Sequence, residues 1–161
     1  MKEKGVSAML KLEKISKSFD GVSILKDISL EIEKGEIVSI LGPSGSGKTT
    51  LLNLILGLTQ TDSGRIIFEG KDLTDVPMEE RGFNIVFQDY ALFPHLNAYK
   101  NITYGLRNKP DISTGEEVEE LISLLGLEEH LDKKIDQLSG GQKQRVALAR
   151  TMVMKPKILL L

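Results

Sequence analysis

No cysteine occurs in the 161 residues, which excludes disulfides, thiolate zinc sites and a cysteine nucleophile. Histidine is scarce: His95 and His130 are too few for a histidine-rich metal centre. No run approaches the roughly 20 apolar residues of a membrane span. Met1–Leu10 lacks the apolar stretch that a signal peptide needs. Neither sign of charge dominates: 21 basic and 23 acidic residues leave a formal net charge of −2. Global charge thus gives no reason to expect nucleic acid or an anionic membrane as partner. These absences describe a soluble, cytosolic chain without a membrane anchor of its own. What remains is a usual globular mix, 40% apolar and 27% charged. The length allows one ordinary domain with a sizeable core.

The first half reads as strands. An alternating segment begins at Leu10 and Leu12 and ends near Phe19, and Asp20-Gly21 follows as a turn signal. Ile28, Leu30 and Ile32 alternate with Ser29 and Glu31, as in a half-buried strand. Lys34, Gly35 and Glu36 turn the chain into Ile37–Leu41, which predicts a short apolar strand. Residues 51–56 are apolar on nearly all sides, as in a buried helix, and Gly57 is its stop. A turn at Asp62, Ser63 and Gly64 leads to a strand over 65–68, and Asn84–Phe87 is a further β-like run ending at Gln88. Residues 111–137 then hold nine acids and two bases, Lys133 and Lys134. Within them Val118, Leu121, Ile122 and Leu125 share one helix face. Ser113 or Thr114 is its N-cap, and Glu116 or Glu117 completes a capping box. From residue 138 onward the charge reverses to Lys143, Arg145, Arg150, Lys155 and Lys157.

Two motifs carry chemistry. Gly42, Pro43, Ser44, Gly45, Ser46, Gly47, Lys48 and Thr49 match G-x-x-x-x-G-K-[ST] in full. Glycines let the backbone N–H groups turn inward around phosphate oxygens. Lys48 supplies a point charge for the β- and γ-phosphates, and the Thr49 hydroxyl can ligate Mg²⁺. The helix that follows aims its positive end at the anion. The second motif is Leu138, Ser139, Gly140, Gly141 and Gln142, with Ser139 as N-cap of a basic helix. Small residues at a helix start make a second phosphate site. Two such loops in one chain suggest two faces of one nucleotide, or nucleotides of two subunits.

Together these motifs resemble the nucleotide-binding domain of ABC (ATP-binding cassette) ATPases, whose signature is Leu-Ser-Gly-Gly-Gln. The resemblance covers the chain from about Leu10. It implies a three-layer α/β P-loop NTPase core with an antiparallel β portion near the N-terminus and a helical subdomain. Its layout would be a core over about 1–89, a helical subdomain over about 90–145 and the start of a Walker B strand region over 146–161. It implies ATP and Mg²⁺ as cofactors, with Thr50 joining residues 42–49 in the Walker A site. Gln88 matches the Q-loop glutamine near Mg²⁺ and the attacking water, so Lys48 and Gln88 are the catalytic candidates. Thr49 and Gln88 are the metal candidates. Phe19 sits where the family stacks an aromatic on adenine, with Ile24 packing beside it. Ser139, Gly140, Gly141 and Gln142 would meet ATP held by the opposite subunit of a head-to-tail dimer.

The stretch Gln88–Ile102 resembles the Q-loop region of bacterial importer ATPases that handle sugars, polyamines, iron or sulfate. That implies a membrane permease docked on it, with Leu92, Phe93 and Pro94 as exposed apolar contacts. It also implies an extracytoplasmic solute-binding protein, a position on the cytoplasmic face of the plasma membrane, and no nucleic-acid partner. His95 belongs to this contact or to a local turn, and His130 reads as surface. The family's Asp-Glu pair and switch histidine would follow the 158–161 strand, beyond Leu161. The chain is therefore expected to be cut in mid-domain, to hold ATP but hydrolyse it poorly, and to expose apolar surface and a sheet edge. Other readings are a binding-only remnant, a soluble ABC ATPase without a membrane partner, and a P-loop kinase. The kinase reading leaves residues 138–142 unexplained.

Overall fold

The computed structural model describes residues 9–161, so the signal-peptide reading of the N-terminus falls largely outside it. The chain divides into two compact units, 1–81 and 82–161.

In the first unit a four-stranded sheet runs in the order β2-β1-β3-β4. Strands β1 (Leu10–Phe19) and β2 (Val22–Ile32) form an antiparallel hairpin, pairing Phe19 with Val22 and Leu10 with Ile32. Asp20 and Gly21 both take positive φ, 50° and 79°, as a tight two-residue hairpin turn requires. Leu10, Leu12 and Ile15 are buried. The change from even to odd spacing falls at Lys14, whose φ of 48° marks an irregularity between Leu12 and Ile15. Strand β3 (Ser63–Phe68) pairs antiparallel with β1 and then with the short β4 (Lys71–Asp72). Gly64 has no alternative, because a Cβ there would lie 2.5 Å from the carbonyl oxygens of Glu13 and Lys14.

Helix α1 (Lys48–Leu56) buries Leu51, Leu54, Ile55 and Leu56. It ends at Gly57 in the left-handed conformation, φ 83°. Its last carbonyls are then met by Arg81, at the end of α2 (Met78–Arg81). Arg81 as a residue is only 4% exposed, and its guanidinium faces backbone carbonyls. It donates to Leu54 O (2.9 Å), Ile55 O (2.8 Å), Val76 O (2.7 Å) and Thr74 O (3.0 Å).

The strand expected over Ile37–Leu41 is absent: these residues have no ladder partner. Ile37 is 94% and Leu41 90% exposed. An apolar run records a readiness to be buried, but a strand also needs neighbours that take up its N–H and C=O groups. The described residues supply none, and this apolar run is left exposed.

In the second unit β5 (Phe83–Ile85) and β6 (Ile158–Leu160) pair in parallel, Phe83 with Ile158 and Ile85 with Leu160. The ladder continues through Val86 N–H to Leu160 O, 3.0 Å. Between them lie α3 (Ala98–Ile102), α4 (Gly115–Leu124) and α5 (Gly140–Met152). Ala98, Ile102, Val118, Ile122, Val146 and Ala149 meet in their common core, with Leu121 and Leu125 packed at its margin.

Helix α4 resolves the alternatives at its start. Thr114 Oγ1 accepts from Glu117 N–H (3.2 Å), and Glu117 accepts from Thr114 N–H (2.8 Å). Ser113 is buried instead, donating to Val153 O at 2.7 Å. Lys155 first, and the Thr114 N–H second, hold the Glu117 carboxyl below its ordinary value of 4.5. A carboxyl depressed by folding stabilises the chain above the unfolded value, and that stability is lost as pH falls through the lower folded value. Stability against urea should therefore decline below pH 4.5, and Glu117→Gln should flatten part of that decline. An unchanged acid profile in the variant would contradict this.

Candidate nucleotide site

The loop before α1 is built from turns. Ser46 N–H bonds Pro43 O at 3.2 Å, and Gly45 and Gly47 take φ of 81° and 88°. Gly47 is the N-cap of α1 and brings no side chain to close the first turn, which holds no acidic residue. That leaves the positive end of a nine-residue helix facing the loop mouth. Gly47 is also sterically required. A Cβ would lie 2.9 Å from Leu25 Cδ2 and 3.2 Å from Ile24 O, so the loop rests against β2. A Cβ on Gly42 would lie 2.7 Å from Ser46 Oγ.

Lys48 folds over this mouth. Its Nζ donates to Gly42 O and Pro43 O, both at 2.7 Å, and stands 3.4 Å from Ser46 Oγ. These loop carbonyls hold a cation where an anion's counter-charge is needed. Thr49 is exposed beside it, and Ser44 and Thr50 complete the loop and first turn. The cradle thus fits a polyphosphate by donor chemistry: free helix-start N–H groups, one ammonium and one exposed hydroxyl. Phe19 stands at the hairpin end, 46% exposed, with Lys17 Nζ 5.3 Å from its ring centroid. Ile24 is half-buried against Gly47.

The second constellation lies in the other unit and is described by itself. Ser139 caps α5: its Oγ accepts from Gln142 N–H (3.3 Å), and Gln142 Oε1 accepts from Ser139 N–H (2.8 Å). Gly140 and Gly141 are exposed, and a Cβ on either would meet nothing. Sterics inside this chain therefore do not demand them.

His130 is not the free surface residue that the sequence suggested. With Gln142 Oε1 committed to Ser139, Gln142 Nε2 donates to His130 Nε2 at 2.8 Å. His130 Nδ1 is buried, with no hydrogen-bond partner among the described residues. No sequence pattern signals this contact, which joins the turn over residues 128–130 to the first turn of α5. Removing it in His130→Ala should cost about 1 kcal/mol of stability, the size of one neutral hydrogen bond. Urea unfolding reads this, and an unchanged midpoint would oppose it.

Gln88 is exposed in the turn after β5. The segment that follows is less open than the sequence implied. Leu92 packs on the helical core and Phe93 is half-buried, while Pro94 and His95 are exposed. The cause is Asn101, which is 0% exposed. Its Oδ1 accepts from Phe93 N–H (2.8 Å), and its Nδ2 donates to Phe93 O (3.1 Å), Leu96 O (3.3 Å) and Asn97 O (3.0 Å). Phe93 also lies 4.3 Å from the Tyr104 ring centroid. No helix among the described residues is long and apolar enough to cross a membrane.

Known proteins share this arrangement. Residues 25–161 match the protein family described as "ABC transporter". The spermidine/putrescine import ATP-binding protein PotA of Mesoplasma florum is 52% identical over 156 residues, covering 95% of this chain and 44% of that protein. PotA of Fusobacterium nucleatum is 53% identical over 149 residues, 91% of this chain and 40% of that one. The chain thus spans less than half the length of these curated relatives. Among solved structures, cbiO1 of Clostridium perfringens, part of the cbiONQ ABC transporter complex, aligns with a TM-score of 0.82 at 35% identity. It covers 94% of this chain and 64% of that one. The ATP-binding cassette MJ0796, in a dimeric post-hydrolysis state with ADP and Pi, aligns at 0.79 and 36% identity, covering 94% and 72%. The fold expectation is met: the chain has the mixed α/β fold of these cassettes, antiparallel sheet included.

Proposed function

The chain belongs to the ABC transporter family, and from that premise we propose that it is the MgATP-binding part of a solute importer's ATPase. The observation that carries this is the loop over residues 42–49. It is open at the start of α1, with Lys48 Nζ held at its mouth by two carbonyls. A polyphosphate entering there draws Lys48 from those carbonyls onto its β- and γ-oxygens. It also meets the free N–H groups of the first turn. Thr49 Oγ1 would ligate Mg²⁺, and Gln88, carried by the other unit, is the second candidate ligand. When bound, Mg²⁺ neutralises charge on the β- and γ-phosphates. Among the described residues no group of three or more His, Asp or Glu could hold a metal alone. Mg²⁺ is commonly held through one or two protein oxygens together with substrate phosphates, which suits a single Thr49 hydroxyl.

Phe19 offers an exposed face for adenine, with Ile24 beneath the loop. Thr50 extends the first turn. Ser139, Gly140, Gly141 and Gln142 present a capped helix start to ATP on a second copy, and open space above both glycines suits a close backbone approach. Gln88 also orients the attacking water when the whole protein hydrolyses ATP. Gln88–Ile102 contacts a membrane permease, which places the protein on the cytoplasmic face of the membrane. An extracytoplasmic binding protein would deliver the solute. The PotA relatives point to a polyamine such as spermidine or putrescine. A nucleic-acid partner has no support in the charge balance.

The test is titration of the purified chain with a fluorescent ATP analogue, with and without Mg²⁺. Saturable binding strengthened by Mg²⁺ is expected. Binding unaffected by competing ATP, or none at all, would sink the reading.

A further inference from the structure

We propose that Arg150 is a positioning residue for the Tyr90–Phe93 turn. In this role it ties the segment assigned to the permease to the helix that starts at Ser139. Its functional meaning rests on the importer reading above; its geometry does not.

Tyr90 and Ala91 are consecutive non-glycine residues with positive φ, 63° and 42°. Side chains disfavour this region, so such a pair persists only when its surroundings hold it. The amides are satisfied locally: Tyr90 N–H bonds Phe87 O (2.9 Å) and Ala91 N–H bonds Asp89 Oδ1 (3.2 Å). The carbonyls are not. Arg150 Nη1 donates to Ala91 O (2.8 Å) and Nη2 to Tyr90 O (3.1 Å). One planar fork thus grips both strained residues. The same guanidinium lies 5.5 Å from the Phe93 ring centroid, within cation–π range.

Arg150 forms none of the ion pairs found among the described residues. Burial lowers its pKa with no carboxylate to offset it. A half-buried cation spent on two backbone carbonyls, 59 and 60 residues away, is a costly choice unless the turn's shape matters. Asn101 of α3 grips Phe93, two residues further on, on both its N–H and its C=O. The turn is therefore fixed from α3 and α5 together. Ten residues of continuous helix, about 15 Å, separate Arg150 from the capped start of α5.

Amide hydrogen exchange read by mass spectrometry on the purified chain tests this. Arg150→Ala should speed exchange over residues 88–95 about tenfold, the equivalent of one charge-assisted bond. Peptides from α5 should keep their protection. Arg150→Lys keeps the charge without the fork and should fall between. Ala91→Gly added to Arg150→Ala should restore much of the protection, because glycine adopts the positive φ without help. Unchanged exchange over 88–95 overturns the proposal. So does a lack of rescue by glycine, or an even loss of protection through 82–161, which would make Arg150 part of the general fold. None of these outcomes depends on a permease. Failure to capture a membrane subunit would strike the importer reading and leave the turn assignment standing.

Discussion

Lys48→Ala should weaken MgATP binding by a factor of roughly 10 to 150, the equivalent of about 1.5–3 kcal/mol for a hydrogen-bonded charge. The loss should be nearly pure binding. Among the described residues Lys48 Nζ bonds only Gly42 O, Pro43 O and, at 3.4 Å, Ser46 Oγ. Those atoms lie on an exposed loop where water can replace the ammonium. Urea stability should therefore stay close to that of the parent. Lys48→Arg should not rescue fully, since the mouth fits a compact ammonium rather than a planar fork. Equal affinity in parent and Lys48→Ala, at equal fold stability, would remove residues 42–49 from the nucleotide site.

The largest expected stability loss is at Arg81. Truncation to alanine removes the donor that the Ile55, Thr74 and Val76 carbonyls share and leaves Leu54 O with the Gly57 N–H alone, in a region the side chain had closed to solvent. A buried acceptor stripped of its partner carries its desolvation penalty, so Arg81→Ala should cost about 3 kcal/mol or more. Burial lowers the guanidinium's pKa, but the ordinary value is so far above neutrality that it stays charged. Arg81→Lys should recover less than half, because one ammonium cannot span four carbonyls from two segments. Gly57→Ala tests the same contact from the other side, since its Cβ would stand 2.7 Å from Arg81 Nε. A change within about 0.5 kcal/mol for Arg81→Ala, the scale of ordinary surface substitutions, would refute this account.

Local signals in the sequence translated well into structure. Asp20-Gly21 is a hairpin turn because both residues tolerate positive φ. Thr114 with Glu117 and Ser139 with Gln142 are capping boxes because their side chains reach backbone three residues away. Gly47 and Lys48 fall where the loop motif requires them. What stayed hidden depends on distance along the chain. Arg81 meets carbonyls up to 27 residues away, and Arg150 up to 60. No local pattern distinguishes such arginines from solvated ones. His130 looked unpartnered because its partner, Gln142, belongs to a motif read for another purpose. Leu92 and Phe93 looked exposed because the side chain that turns them inward, Asn101, lies a helix away. The 37–41 run failed differently, since hydrophobicity cannot say whether a neighbouring strand is at hand.

Strands β5 and β6 lie side by side and run the same way, with Phe83 opposite Ile158. The segment from residue 86 to 157 therefore leaves at the carboxyl end of β5 and returns at the amino end of β6, so it has to travel back along the strands as every parallel crossover does. This crossover is fixed by the ladder only at its two attachment points, one at each end of the paired strands. Its interior can be shortened, lengthened or exchanged for a relative's without moving the strands that frame it. For a protein engineer this marks Val86 and Lys157 as graft points. A transplanted helical segment could give a new docking specificity while the phosphate loop, carried in the other unit, is left untouched.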